Sequence, residues 1–179
     1  MAITASDIVF RYSTTSGSAG DTTAGTAAGS LGKYVSTTAW TGGGADLFDA
    51  VTGTENAASE SEYRCVFVLN NHATLTLTSA VAYVSAETAG GAVVAIATDN
   101  IGPVAKGSSS AQAAQIANED TGPSSVSAFS TPTTDGTGLS LGSIAPGEVK
   151  AIWVRRTTAN TAALDTDGFT LAVAGDTAA

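Results

Sequence analysis

YRCVFVLNNHATLTLTSAVAYVS, residues 63–85, holds two strand-like runs on either side of a short polar joint, Asn70-Asn71-His72. In the first run Tyr63, Cys65, Phe67 and Leu69 point one way, and Arg64, Val66 and Val68 the other. In the second, Leu75 and Leu77 alternate with Thr74, Thr76 and Thr78, and Val81-Ala82-Tyr83-Val84 continues the run. Period-two alternation of β-branched and aromatic residues marks half-buried strands. The pair is therefore expected at the centre of the core, with Cys65 as a small buried hydrophobe.

Downstream, further short strands follow between turn signals. Val93 to Thr98 is closed by Asp99-Asn100-Ile101-Gly102-Pro103, and Val126 to Ser130 follows the Thr121-Gly122-Pro123 turn. Residues 107–118 fit a helical turn or two, or a loop entering a strand near Ile116. Leu139, Leu141 and Ile144 lead through Pro146-Gly147 into a strand from Val149 to Arg156, with Trp153 inward. Phe169, Leu171 and Val173 line one face of the last strand. About seven short strands without strand–helix alternation predict an all-β fold, an antiparallel β-sandwich of Ig-like or jelly-roll topology.

Upstream the chain is thinner. Ile8, Phe10 and Tyr12 share one face of a short strand-like run. Residues 13–30, STTSGSAGDTTAGTAAGS, are low-complexity and predict a flexible or extended loop. Apolar pegs at Leu31, Tyr34, Val35 and Trp40 precede a Gly42-Gly43-Gly44 hinge. ADLFDAV, residues 45–51, reads as helical, and the polar run TGTENAASESE leads into the central strands. The expected organisation is one folding unit. Residues 1–62 supply a strand and an extended N-terminal arm, and 63–179 the sandwich body.

The 179 residues suffice for one domain with a real core. Net charge is −9, from 7 Lys+Arg against 16 Asp+Glu. Nucleic acid and anionic membranes both call for a basic stripe, and the one adjacent basic pair is Arg155-Arg156. On a strand these two fall on opposite faces, one pairing with an acid or snorkelling at the core edge. Neither a nucleic-acid nor a membrane partner is expected. No signal peptide or membrane-length apolar run is read, so synthesis in a cytoplasm is expected. A single cysteine permits no intrachain disulfide.

Catalytic patterns fail one by one. AAGSLGKY, residues 27–34, lacks the first Gly and the final Ser/Thr of a phosphate loop. One histidine, His72, and one cysteine leave no zinc shell, and no G-x-S-x-G elbow exists to pair with His72. His72 is read as an exposed or hydrogen-bonded turn residue. Asp165-x-Asp167-Gly168 is half a calcium loop without its remaining ligands, and reads as a turn. Asp46, Asp49, Glu55, Glu60 and Glu62 read as a solvated acidic linker rather than a glycosidase pair. The expectation is a structural or binding protein, not an enzyme, with no cofactor and no metal.

The stretch ADLFDAVTGTENAASESEYRCVFVLNN resembles a group of tailed-bacteriophage virion proteins. DIVFRYS with its following Gly/Ser/Ala-rich loop and SLG, and the later KAIWVRRTT, carry the same likeness. The resemblance implies a head-associated structural protein, most like a capsid decoration (cement) protein on the capsid surface. Its implied partners are the major capsid protein and copies of itself, as a trimer or dimer. Trp40, Leu47 and Phe48 are then expected as apolar partner-contact anchors on an arm draped over neighbouring subunits. The rival expectation is that the same residues cap the chain's own sandwich. LFDAVTGTENAASESE is expected to be the main place of partner contact. The alternative function is a receptor- or glycan-binding sandwich on a tail, fibre or cell surface. That reading calls for exposed loop aromatics, with Tyr34 and Trp40 the candidates.

Overall fold

The alternation in residues 63–69 sorts one strand's side chains into two separate hydrophobic clusters. The computed structural model describes residues 2–162, 164 and 167–178. The chain forms β1 (Ile8–Thr14), β2 (Gly32–Trp40), a short helix α1 (Gly53–Ala58), β3 (Ser61–Asn70), β4 (Thr76–Glu87) and β5 (Val93–Thr98). It continues with β6 (Val104–Ala105), β7 (Ala113–Gln115), β8 (Leu139–Ile144), β9 (Glu148–Thr157) and β10 (Phe169–Ala178). Every pairing is antiparallel. A seven-stranded sheet runs β5-β9-β3-β1-β2-β7, with β6 also on β9, and a three-stranded sheet runs β10-β4-β8. The fold is all-β and sandwich-like.

The core between the sheets holds Val66 and Val68 of β3, Ile152 and Val154 of β9, Leu77, Ala82 and Val84 of β4, and Leu141, Ile144 and Leu171. The opposite side chains of β3 and β9 build a second cluster: Cys65, Phe67 and Leu69 with Val149, Ala151 and Trp153. Loop residues Leu31, Ile116, Val126 and Phe129 cover it, together with Val35 and Val104 of short or edge strands. β3 was expected to be half-buried, yet from Arg64 to Asn70 it is buried on both faces. A strand with apolar residues at every position from Cys65 to Leu69 needs a cover on each side, and the loops provide the second.

The joint at Asn70-Asn71-His72 carries the chain from one sheet to the other, and Ala145-Pro146-Gly147 does the same between β8 and β9. Asn70 is fully buried between these crossings. Its amide nitrogen donates to the carbonyls of Leu75 and Ile144, both at 2.8 Å, and its Oδ1 accepts the His72 N–H at 3.0 Å. His72 Nδ1 accepts the N–H groups of Thr74 at 3.1 Å and Leu75 at 3.0 Å, so His72 is a hydrogen-bonded turn residue.

The stretch expected as an arm is largely built into the body. β1 lies between β2 and β3 in the large sheet. The small-residue loop after β1 covers the edge of β2: Asp21 N–H donates to Val35 O at 2.8 Å and Thr37 N–H to Thr23 O at 3.0 Å. An open strand edge is a template for unwanted pairing, and residues with little bulk can lie flat against it. The Ser30 carbonyl accepts the Cys65 N–H at 2.7 Å, extending the cover to β3.

Local readings changed in two places. Residues 45–51 are not a helix. A single 3-10 turn at Gly44–Asp46 drops Leu47 and Phe48 inward. Gly44 permits this because a Cβ there would lie 2.3 Å from the Phe169 ring. The helix comes later, at Gly53–Ala58, where Thr52 and Glu55 form a capping box. Val126 and Ser130 make isolated bridges to Asp99 and Ile96 rather than a strand. Of the two readings of residues 107–118, the loop entering a short strand holds, with β7 at Ala113–Gln115 just before Ile116.

Candidate functional site at one end of the sandwich

The period-two pattern that sends Val66 and Val68 into the core places Glu62 and Arg64 at its mouth, on the same face. Register pairs Glu62 with Arg156 and Arg64 with Val154 across β3 and β9. Arg156 Nε donates to Glu62 Oε2 at 2.7 Å, and Nη2 contacts the same oxygen. Nη1 donates to the Asp49 carbonyl at 2.7 Å, and the Asp49 carboxylate lies 3.7 Å from Nη2. Arg64 pairs with Glu119 on the far side. Phe48 sits between the two arginines, with the Arg156 guanidinium 4.7 Å and that of Arg64 5.6 Å from its ring centroid.

Burial pushes the Glu62 carboxyl above its ordinary range, opposed by its hydrogen bond to Arg156. Burial likewise lowers Arg64, opposed by the nearby acids, Glu62 foremost. Asp49, Glu62 and Glu119 bring carboxylate oxygens within 4.8 Å of one another, a spacing a metal would accept. Two guanidiniums, Arg64 and Arg156, already pair with these three carboxylates. The arrangement is an ion-pair network that holds residues 48–49 and 119 against the sheet.

Beside it opens a cleft of about 590 Å³. Its walls come from Phe48 to Gly53 and Asn56, from Gly91, Ala92 and Val94 at the start of β5, and from Arg156, Thr158, Leu164 and Asp167 to Phe169. Thr158 Oγ1 donates to the carbonyl of Glu55 at 2.9 Å, and Asn56 Nδ2 to that of Thr161 at 2.7 Å, so the walls brace each other. Asp167 accepts the Ala92 N–H at 2.8 Å, and a Cβ on Gly91 would meet the same carboxylate at 2.1 Å. The second half of the calcium-like turn is thus a backbone staple, while its first residue, Asp165, lies outside the described residues.

The three expected anchors are in the chain's own core. Trp40, Leu47 and Phe48 are 4 %, 0 % and 6 % exposed. Trp40 meets Phe10 edge-on and Phe169 at a tilt, and donates Nε1–H to the Gly43 carbonyl at 3.0 Å. They offer little to a partner directly, and the rival expectation, that they cap their own sandwich, describes their positions. Phe48 alone also lines the cleft. The other acids of the linker separate: Asp46 accepts from Thr41 Oγ1, Glu55 caps α1, and only Asp49 and Glu62 join the network. Arg155 takes the opposite face from Arg156, over the Phe129 ring at 5.1 Å.

Sequence reading missed Glu119 and Phe48 as members of this network, because both arrive from loops. The usable signal was the alternation that puts Glu62 and Arg64 on one face of the first run and separates Arg156 from Arg155; the pairing of these two strands was not read from the sequence. No protein-family model, curated protein or solved structure matches the chain.

Proposed function

We propose that the chain is a virion structural protein that binds the outside of a phage capsid and reinforces contacts between major capsid subunits. The observation that carries this reading is where the resembling stretch lies. Residues 45–71 build the central strand β3 and, through Phe48 to Asn56, one wall of the cleft. The likeness therefore falls on scaffold and on exposed surface together, as a protein selected for docking requires.

Charge placement supports a protein partner over a polyanion. Arg11 and Lys106 pair with Asp21, Arg64 with Glu119, and Arg156 with Glu62. Lys150 is buried against the carbonyls of Asp99 and Ile101, and Lys33 and Arg155 lie over the rings of Tyr34 and Phe129. All seven cations counted in the sequence are thus engaged within the chain, which leaves little for phosphates. The alternative, a glycan-binding module, draws less support: Tyr34 and Trp40, its candidate platforms, are 6 % and 4 % exposed.

Electron microscopy of phage heads with and without the protein tests the proposal, alongside their survival of heat and low salt. Regularly spaced density at lattice symmetry points, with more robust particles, is expected. Density at the tail tip, or none on heads, sinks it.

A further inference from the structure

We infer that the cleft beside Phe48 receives a bulky apolar side chain of a partner polypeptide, carried next to a lysine or arginine. This stands apart from the virion reading, since it names the partner's chemistry and not where the partner resides.

Size comes first. At about 590 Å³ the cleft lies within the range of ligand sites, and Phe48, Val51, Val94, Leu164 and Phe169 give it apolar walls. Among the described residues, the exposed large hydrophobics are Val93 at 50 % and Leu164 at 43 %. Leu164 lines the cleft, and Val93 adjoins the lining residue Val94. A small molecule confined to the cleft leaves Val93 wet, because its side chain alternates away from that of Val94. Val93 thus takes no part in the cleft; Leu164, 43 % exposed at its edge, is the apolar group that a polypeptide passing over the rim covers while one side chain enters.

Charge then selects the partner. Among the described residues, the charged ones lining the cleft are Asp49, Asp167 and Arg156. Arg156 directs three donors to Glu62 and the Asp49 carbonyl, and its side chain is 12 % exposed. Asp49 keeps its side chain 72 % exposed, and Asp167 satisfies one oxygen with a backbone N–H. The rim is therefore acidic and lacks a free cation for a phosphate or carboxylate. Stacking of a sugar on Phe48 is opposed by the two guanidiniums already over that ring.

Amide NMR of the full chain, titrated with the capped hexapeptides GSLKSG and GSLESG, tests this. GSLKSG is expected to shift the amides of Val51, Ala92 and Gly168 and to bind ~threefold tighter than GSLESG, the size of one exposed ion pair. Asp49→Lys, at an exposed side chain, is expected to keep the dispersed spectrum and to erase or invert that preference. No shifts at about 5 mM peptide, equal response to both peptides, an unchanged preference in Asp49→Lys, or the same shifts from isobutanol alone would each overturn the inference.

Discussion

The two ends of β3 close the sandwich with opposite chemistry. At Asn70 the closure is neutral: one buried amide joins the two crossings at that end, β3 to β4 and β8 to β9, and His72 takes up two more backbone N–H groups. At Glu62 the closure is ionic: two arginines and three carboxylates surround one phenylalanine, and a cleft opens alongside. Chain crossings leave backbone carbonyls that have no ladder partner, and a fixed amide satisfies them at close range. The Glu62 end has crossings as well, β4 to β5 through 88–92 and β9 to β10 after Thr157, but no single amide joins them, and loops from 44–60 and 116–120 also arrive there. Long charged side chains can reach loops that an amide cannot. The end whose crossings meet on one buried amide is tight, and the end whose loops are tied by long side chains leaves a cleft.

The sharpest way to break this contrast is to remove one partner at the ionic end. Arg156→Ala leaves Glu62, which is 3 % exposed, without its guanidinium. A loss of about 3–5 kcal/mol is expected from urea unfolding. The paired replacement Glu62→Leu with Arg156→Met is expected to recover most of it, because two apolar side chains need no desolvation there. If the single and double variants are equally unstable, the network is not what closes that end.

At the neutral end, Asn70→Ala strips partners from the carbonyls of Leu75 and Ile144 and from the His72 N–H. About 2–4 kcal/mol is expected, a little below the ionic case. His72→Ala removes the acceptor of two partly exposed N–H groups, for about 1 kcal/mol. Hydrogen exchange at Leu75 reads out both, and slow exchange in either variant would show that the crossings do not depend on these side chains.

Much of this was legible in the sequence, and the parts that were not have a common cause. Alternation in β3, β4 and β9 is local, so Cys65, Trp153 and the one-per-face split of Arg155 and Arg156 could be read from the chain. The Thr52-x-x-Glu55 capping box was equally local, but the apolar residues Leu47, Phe48 and Val51 drew the helix reading to 45–51 instead. Residues 13–30 carry no periodicity because they follow the edge of β2 through backbone hydrogen bonds, which composition does not encode. Trp40, Leu47 and Phe48 looked like pegs for a partner because the strands that bury them lie far along the chain. Phe169, which meets both Trp40 and Phe48, arrives more than a hundred residues later. Long-range pairing decides between an arm and a core, and local pattern is blind to it.

The smallest expected effect separates the ends by sign. Glu62 is raised by burial, so the folded state holds its proton more tightly than the unfolded chain. Its linkage favours folding below the unfolded carboxylate value, and that contribution is lost as pH rises through the folded one. Asp7, beside the Asn70 end, is lowered by hydrogen bonds from the Thr4 backbone and side chain. Its contribution is present above the unfolded value and is lost as pH falls through the folded one. Urea midpoints of the native chain, Glu62→Gln and Asp7→Asn, taken from about pH 3 to 7, span both windows. With rising pH the native chain is expected to lose ground to Glu62→Gln and gain it over Asp7→Asn. Two differences of the same sign would mean that Arg156 outweighs burial at Glu62, and the ionic end would then hold its carboxylate as firmly as Thr4 holds Asp7.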